Sequence, residues 1–297
     1  MLFKTYDASV GGYRLSDLSN LYAGSDCAAF IVGGAPSLDE QNPSILERRG
    51  IVSFAVNNAG LVFRPTYVVC SDMPECLSKN ILFDPSIVKF ASDAFHGVAV
   101  RKGDPRIFAQ CPATMFYSPD DQLSSIPGRS ILQMTRMLPY MRNSLMHAFC
   151  IVASLGFRRI YLCGSDFYAG KPGERSYAGS NEGLDDVKRS WNENLYRQQV
   201  VSLLDMRMEF SRHGIDLVDT SANSKIAGAS SYSWRPLSEA VEEESSKIDL
   251  SVKERLPHSS ELYDIKDVDK YSKVGIEIDP DALFQDGSGG NKKEKQT

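Results

Sequence analysis

The sequence has little of what usually announces chemistry. It holds four histidines and two tryptophans in 297 residues. Its cysteines, at 27, 70, 76, 111, 150 and 163, show no CxxC spacing, which argues against a zinc site or a dithiol redox motif. Cys70, Cys150 and Cys163 sit in the apolar runs VVC, AFC and YLC, so they read as buried, reduced thiols. No run is apolar enough to span a bilayer: the longest, Leu145 to Leu155, is short and contains His147. The start, MLFKTYDASVGG, lacks the apolar core of a signal peptide. No charge dominates, since 33 Lys and Arg against 38 Asp and Glu leave a net charge of -5. That balance gives no footprint for nucleic acid or an anionic membrane. There is no internal repeat, no GxGxxG and no Walker Gly-Lys-Ser/Thr. Together these absences predict a cytoplasmic chain with no membrane span.

What is present is a rhythm. With 42% hydrophobic residues, the chain can build a large core. Ala28 to Val32, Ile51 to Val56 and Thr66 to Cys70 are continuous apolar runs of the kind found in strands buried on both faces. Ile107 to Cys111 reads as a fourth strand and Ile87 to Ala91 as a weaker one. Ser144 to Leu155 reads as an apolar helix leading to a strand at Arg159 to Cys163. Asn192 to His213 reads as an amphipathic helix, with Leu195, Gln199, Leu203, Met206 and Phe210 three or four residues apart and Gly214 as its stop. A last strand, Ile215 to Val218, ends at Asp219-Thr220-Ser221. Strand, polar turn, helix, strand predicts an α/β fold: a doubly wound, mostly parallel sheet with helices on both faces. From about Ser238 charged and polar residues take over. The division is a domain over 1–245 and a charged extension over 246–297, whose last ten or so residues, ending GSGGNKKEKQT, are predicted disordered.

In open α/β sheets ligands collect beyond the carboxyl ends of strands, so the residues there are the site candidates. Gly33 to Ser37 (GGAPS) follows the first strand. Gly33 and Gly34 let a backbone approach a phosphate or ribose, and free amides there bind anions; the plainer reading is a tight turn with Ser37 or Asp39 as helix cap. Asn57 and Asn58 end the second strand. An amide suits a base edge or sugar hydroxyl, and its plainer role is an Asx turn. Asp72 ends the third strand, where a carboxylate holds a cation or a ribose hydroxyl, or caps the helix that Met73-Pro74-Glu75 suggests. Asn143 and Ser144 open the apolar helix, where capping is their ordinary use. His147 on that helix reads as a core histidine, His213 as complementing a helix dipole, and Trp191 and Trp234 as packing residues. Asp166 and Tyr168 leave the strand at Cys163 and read as a site rather than a bare connection.

GGAPSL, AVNNAG and RNSLMHAFCIVASLGFRRIYLCGSDFYAG, in that order, resemble the bacterial sialyltransferases of glycosyltransferase family 42. They equally resemble the DUF115 group, with its 6-hydroxymethylpterin diphosphokinase-like (MptE-like) proteins and motility accessory factors. The likeness covers roughly Ala28 to Gly170 and weakens toward Ser221. Leu155 to Gly170 is its specific part, where the sialyltransferases read close to LGYKTIYLCGIDFYEG. The resemblance implies a Rossmann-like domain binding a cytidine-monophosphate sugar without metal. It places the donor turn on Gly33 to Ser37, a donor-binding asparagine on Asn57 and a donor-contacting serine on Ser144. The acid and tyrosine fall on Asp166 and Tyr168, and a further loop tyrosine on Tyr177. Two positions depart. Gly34 and Ala35 replace the asparagine and second glycine of Gly-Asn-Gly-Pro-Ser, and no histidine stands among Asn194, Tyr196 and Arg197, where the sialyltransferases carry a general base.

The leading expectation is a nucleotide-dependent, glycosyltransferase-like transferase taking a CMP-sugar type donor, with no certain cofactor and a homo-oligomer as a possible assembly. A second is a diphosphokinase moving pyrophosphate from ATP, with magnesium held by Asp72 and Asp166. A third is a non-catalytic binding module that uses the charged extension as its arm.

Overall fold

The computed structural model describes residues 2–7, 11–120, 138–139, 143–168, 178, 186–222, 224–226 and 233–247. Its strands are β1 (Leu2–Asp7), β2 (Gly12–Asp17), β3 (Ala29–Val32), β4 (Val52–Val56), β5 (Tyr67–Cys70), β6 (Val88–Ser92), β7 (Thr114–Tyr117), β8 (Pro119–Asp120), β9 (Leu138–Pro139), β10 (Arg159–Cys163), β11 (Asp216–Asp219) and β12 (Ser233–Trp234). Its helices are α1 (Ser37–Glu40), α2 (Lys79–Phe83), α3 (Ser144–Ser154), α4 (Asp186–Arg212) and α5 (Leu237–Ser246). Ten strands form one sheet in the order β12-β11-β10-β3-β4-β5-β6-β7-β1-β2. The eight from β12 to β7 are parallel, and the β1–β2 hairpin closes one edge antiparallel to β7. β8 and β9 pair separately. The fold is therefore α/β with a mostly parallel sheet.

The alternation of side chains along each strand divides the core in two. Ala29 and Ile31, Val52 and Phe54, Tyr67 and Val69, and Ile160 and Leu162 face α3 and α4. Phe30 and Val32, Ala55, Val68, Tyr161 and Cys163 face Leu38 of α1, Ile81 of α2 and Leu237, Ala240 and Val241 of α5. On the first face six rings touch in series: Tyr22–Phe157, Phe157–Phe54, Phe54–Tyr67, Tyr67–Phe90 and Phe90–Phe3, with centroids 4.1–5.8 Å apart. Each such contact adds about 0.5–1.5 kcal/mol to the burial of the rings. α3 lies across this face with every residue from Ser144 to Ala153 buried, as its unbroken apolar sequence requires.

The first three strands, the weaker Ile87–Ala91 strand and the last two stand within one or two residues of their expected places. Three expectations are corrected. Ile107 to Cys111 is not a strand: Phe108–Gln110 is a 3-10 turn, because the Gln110 side chain accepts the Ile107 N–H at 3.0 Å. The neighbouring strand is β7 instead. The long helix begins at Asp186, six residues before Asn192. Trp191 and Trp234 are about half exposed and lie outside the core. The polar stretch after Ser238 first forms α5, whose Glu244 is buried against Tyr161 Oη at 2.9 Å and Arg159 Nε at 2.6 Å. Residues 248–297, nearly all of the charged extension, lie outside the described residues. All six cysteines are free. Among the described residues no helix is long and apolar enough to cross a membrane.

Candidate functional site

The chain runs outward from β3 through β4, β5, β6 and β7, then returns to lay β10, β11 and β12 on the other side of β3. Successive connections therefore diverge between β3 and β10, the place where parallel α/β sheets open a crevice at their carboxyl ends. Gly33 to Ser37 and Gly164 to Tyr168 leave the sheet there, side by side. The Gly33 N–H donates to Cys163 O and the Ala35 N–H to Gly164 O, both at 2.9 Å. A Cβ on Gly33 would sit 2.6 Å from Gly164 O, and one on Gly164 would sit 2.7 Å from Gly33 O. Gly164 also has φ +54, so these two positions require glycine.

Asp166 crosses from one loop to the other. Its carboxylate accepts both the Ser37 hydroxyl and, at 3.2 Å, the Ser37 N–H. Ser37 is thus a partner of Asp166, not a helix cap; Pro36 holds the cap position with no side-chain bond. Burial raises the Asp166 carboxyl above its ordinary value, and the two Ser37 bonds partly oppose this. Phe167 adopts φ 52 and is buried in the core. With that ring as anchor, Asp166 stays half-buried and Tyr168 is exposed, with Lys225 Nζ 5.3 Å from its ring centre. Tyr177 lies outside the described residues; the N–H of the next residue, Ala178, donates to Gly34 O at 2.9 Å.

A second group gathers at the ends of β4, β5 and β7. Asn57, at φ 52, donates from Nδ2 to Asp72 Oδ2 at 2.7 Å, so neither Asx turn nor helix cap describes the pair. Burial raises the Asp72 carboxyl, and the Asn57 amide partly opposes it. Asn57 Oδ1 accepts no hydrogen bond among the described residues. Asn58 is used structurally, bonding Cys76 O and the Ser78 N–H. Asn143 caps α3 by accepting from the Leu145 and Met146 N–H groups. Ser144 instead accepts the Ser71 N–H at 2.8 Å, tying α3 to β5.

Sequence reasoning passed over Ser71 and Tyr117. The Ser71 hydroxyl meets His147 Nδ1 at 2.5 Å and Tyr117 Oη at 3.0 Å, and Tyr117 Oη lies 3.1 Å from the same nitrogen. His147 is a core histidine, as expected, yet its ring reaches the strand ends through Ser71. It also passed over Asp219, at the end of β11. Burial pushes the Asp219 carboxyl up to about 6, with the Asp166 charge adding to the rise and the Ser221 and Thr220 N–H groups and the Ser224 hydroxyl opposing it. The one signal available for all three was position at a strand end.

The structure thus joins Gly33, Gly34, Ser37 and Asp166 in one group, and Asn57, Asp72 and Ser144 with Ser71 in another. Asp72 and Asp166 do not meet. They follow β5 and β10, with β3 and β4 between these in the sheet, and they bond different partners, Asn57 and Ser37. Among the described residues no three His, Cys, Asp or Glu side chains converge on a metal position.

These features define an α/β protein with polar groups at the carboxyl ends of a mostly parallel sheet. No protein-family model matches the chain, and searches of curated proteins and of solved structures find no match either.

Proposed function

We propose that this is a nucleotide-dependent transferase of the glycosyltransferase-like kind, taking a CMP-sugar type donor across the carboxyl ends of a Rossmann-like, doubly wound sheet. The observation that carries the reading is the tie of Asp166 to Ser37 where the strand order reverses. It fixes the glycine turn after β3 beside the loop that carries Tyr168, in the crevice where such folds take nucleotides. Of the backbone donors in this turn, Ala35 and Ser37 are already bonded to Gly164 O and Asp166 and Pro36 has none, so the Gly34 N–H is the one that suits a phosphate. Asn57 retains an acceptor oxygen for a base edge or sugar hydroxyl. Ser144, held by Ser71, serves the donor, while Asp166, Tyr168 and Tyr177 position donor or acceptor. The chemistry rests on positioning and on stabilising the leaving phosphate.

Titration calorimetry of the full chain against nucleotides and nucleotide sugars, with and without magnesium, tests this. The expected result is metal-independent binding of a cytidine nucleotide, weakened at least about tenfold by Asn57→Ala or Ser144→Ala through lost hydrogen bonds. Binding of ATP alone and only with magnesium, or no binding of any nucleotide, would overturn it.

A further inference from the structure

Helix α4 carries apolar residues on two faces, and among the described residues only one of them is packed. Leu203, Met206 and Phe210 are buried against the sheet. On the opposite face Val187, Trp191, Val201 and Met208 are 73, 53, 60 and 57% exposed. Val187, Asn194, Val201 and Met208 recur every seven residues, and Trp191, Gln198 and Asp205 follow the first three by four. Four of these seven positions are apolar, and the four-three alternation is the spacing of a helix–helix seam. The seam runs from Val187 to Met208, about 32 Å at 1.5 Å per residue.

The charges on this face specify the partner. Arg197 and Asp205 are exposed and stand one turn before and one turn after Val201. Among the described residues neither forms an ion pair within its own chain. A second copy running parallel would set Asp205 beside Asp205. A second copy running antiparallel about a twofold axis at Val201 sets each Arg197 level with the Asp205 of the other, within reach of the long guanidinium arm.

We propose that the chain forms a homodimer through antiparallel packing of α4 on α4. Its centre is Val201 against Val201, flanked by two Arg197–Asp205 pairs. The proposal is independent of what the strand-end site binds.

Sedimentation velocity on the full chain, with monomer mass 32.9 kDa, tests it. The wild type is expected at twice that mass in the micromolar range, and Val201→Glu at the monomer mass with unchanged circular dichroism. Arg197→Asp and Asp205→Arg each place like charges together and are each expected to weaken the dimer at least about tenfold. Mixed in equal amounts, these two variants restore both pairs, so they are expected to form a heterodimer of near wild-type affinity. A wild type that stays monomeric to about 100 µM overturns the proposal, as does a mixture no tighter than its components. In a Trp234→Phe background, a monomer whose Trp191 is shielded from acrylamide would assign the face to another part of the same chain, and that also overturns it.

Discussion

Asp219 is the residue whose environment most directly sets a measurable property. In the unfolded chain its carboxyl titrates near 3.8; in the fold burial moves it to about 6. The folded state therefore binds more protons than the unfolded state between those values, and stability falls as pH rises through that window. Asp166 beside it is shifted in the same direction, so the two contributions share a sign. Asp219→Asn removes the charge and keeps an acceptor for the Ser221 N–H, which Asp219 Oδ1 now accepts at 3.0 Å. The variant is expected to gain about 1–3 kcal/mol at pH 7.5 and nothing at pH 4. Thermal melts at the two pH values decide this: equal shifts at both would assign the gain to something other than ionisation. Single residues were also the limit of what the sequence disclosed of the site. Ser37 and Asp166 are each visible as strand-end polar groups, but nothing local links residues 129 positions apart. Ser71 was invisible, because one serine after an apolar run has no pattern, and its role comes from Tyr117 and His147 on other elements.

At the level of elements, legibility followed burial. β3, β4 and β5 are continuous apolar runs because both of their faces are covered, so they announce themselves. β1 and β2 are the antiparallel edge. LFKTYD and GYRLSD mix apolar with charged and polar residues, as edges do to discourage further pairing, and so they resemble surface loop. β7 (TMFY) is short and follows Cys-Pro-Ala, so the apolar stretch just before it drew the assignment. α5 was obscured by its acids, since it takes the packing of Arg159 and Tyr161 against Glu244 to make a buried glutamate tolerable there. The junction of β3 and β10 yields a sharper expectation. Gly164→Ala would place a methyl 2.7 Å from Gly33 O and 2.9 Å from Leu38 Cβ, at a left-handed φ. A loss of at least about 2–4 kcal/mol is expected, read as a lower denaturant midpoint with an unchanged slope. A methyl tolerated at wild-type stability would mean that the two loops are not packed as described.

For the whole molecule, the return of the chain to β3 governs the order of assembly. β3 to β7 pair with neighbours close in sequence, whereas β10 must find β3 after the intervening sheet half and α3 have been made. Closing so long a loop is entropically slow and is rewarded only once both partners are in place. The glycine turns and the Asp166–Ser37 tie lie on that last seam. Pulsed hydrogen exchange during refolding is therefore expected to protect β4 to β6 before β10 and β11, and simultaneous protection would contradict it. A nascent or partly refolded chain would hold most of its core yet have no crevice, so ligand binding would report completion of the fold rather than collapse. A ligand that joins the β3 loop to the β10 loop would act as a fastener on the final step, slowing unfolding more than it speeds folding.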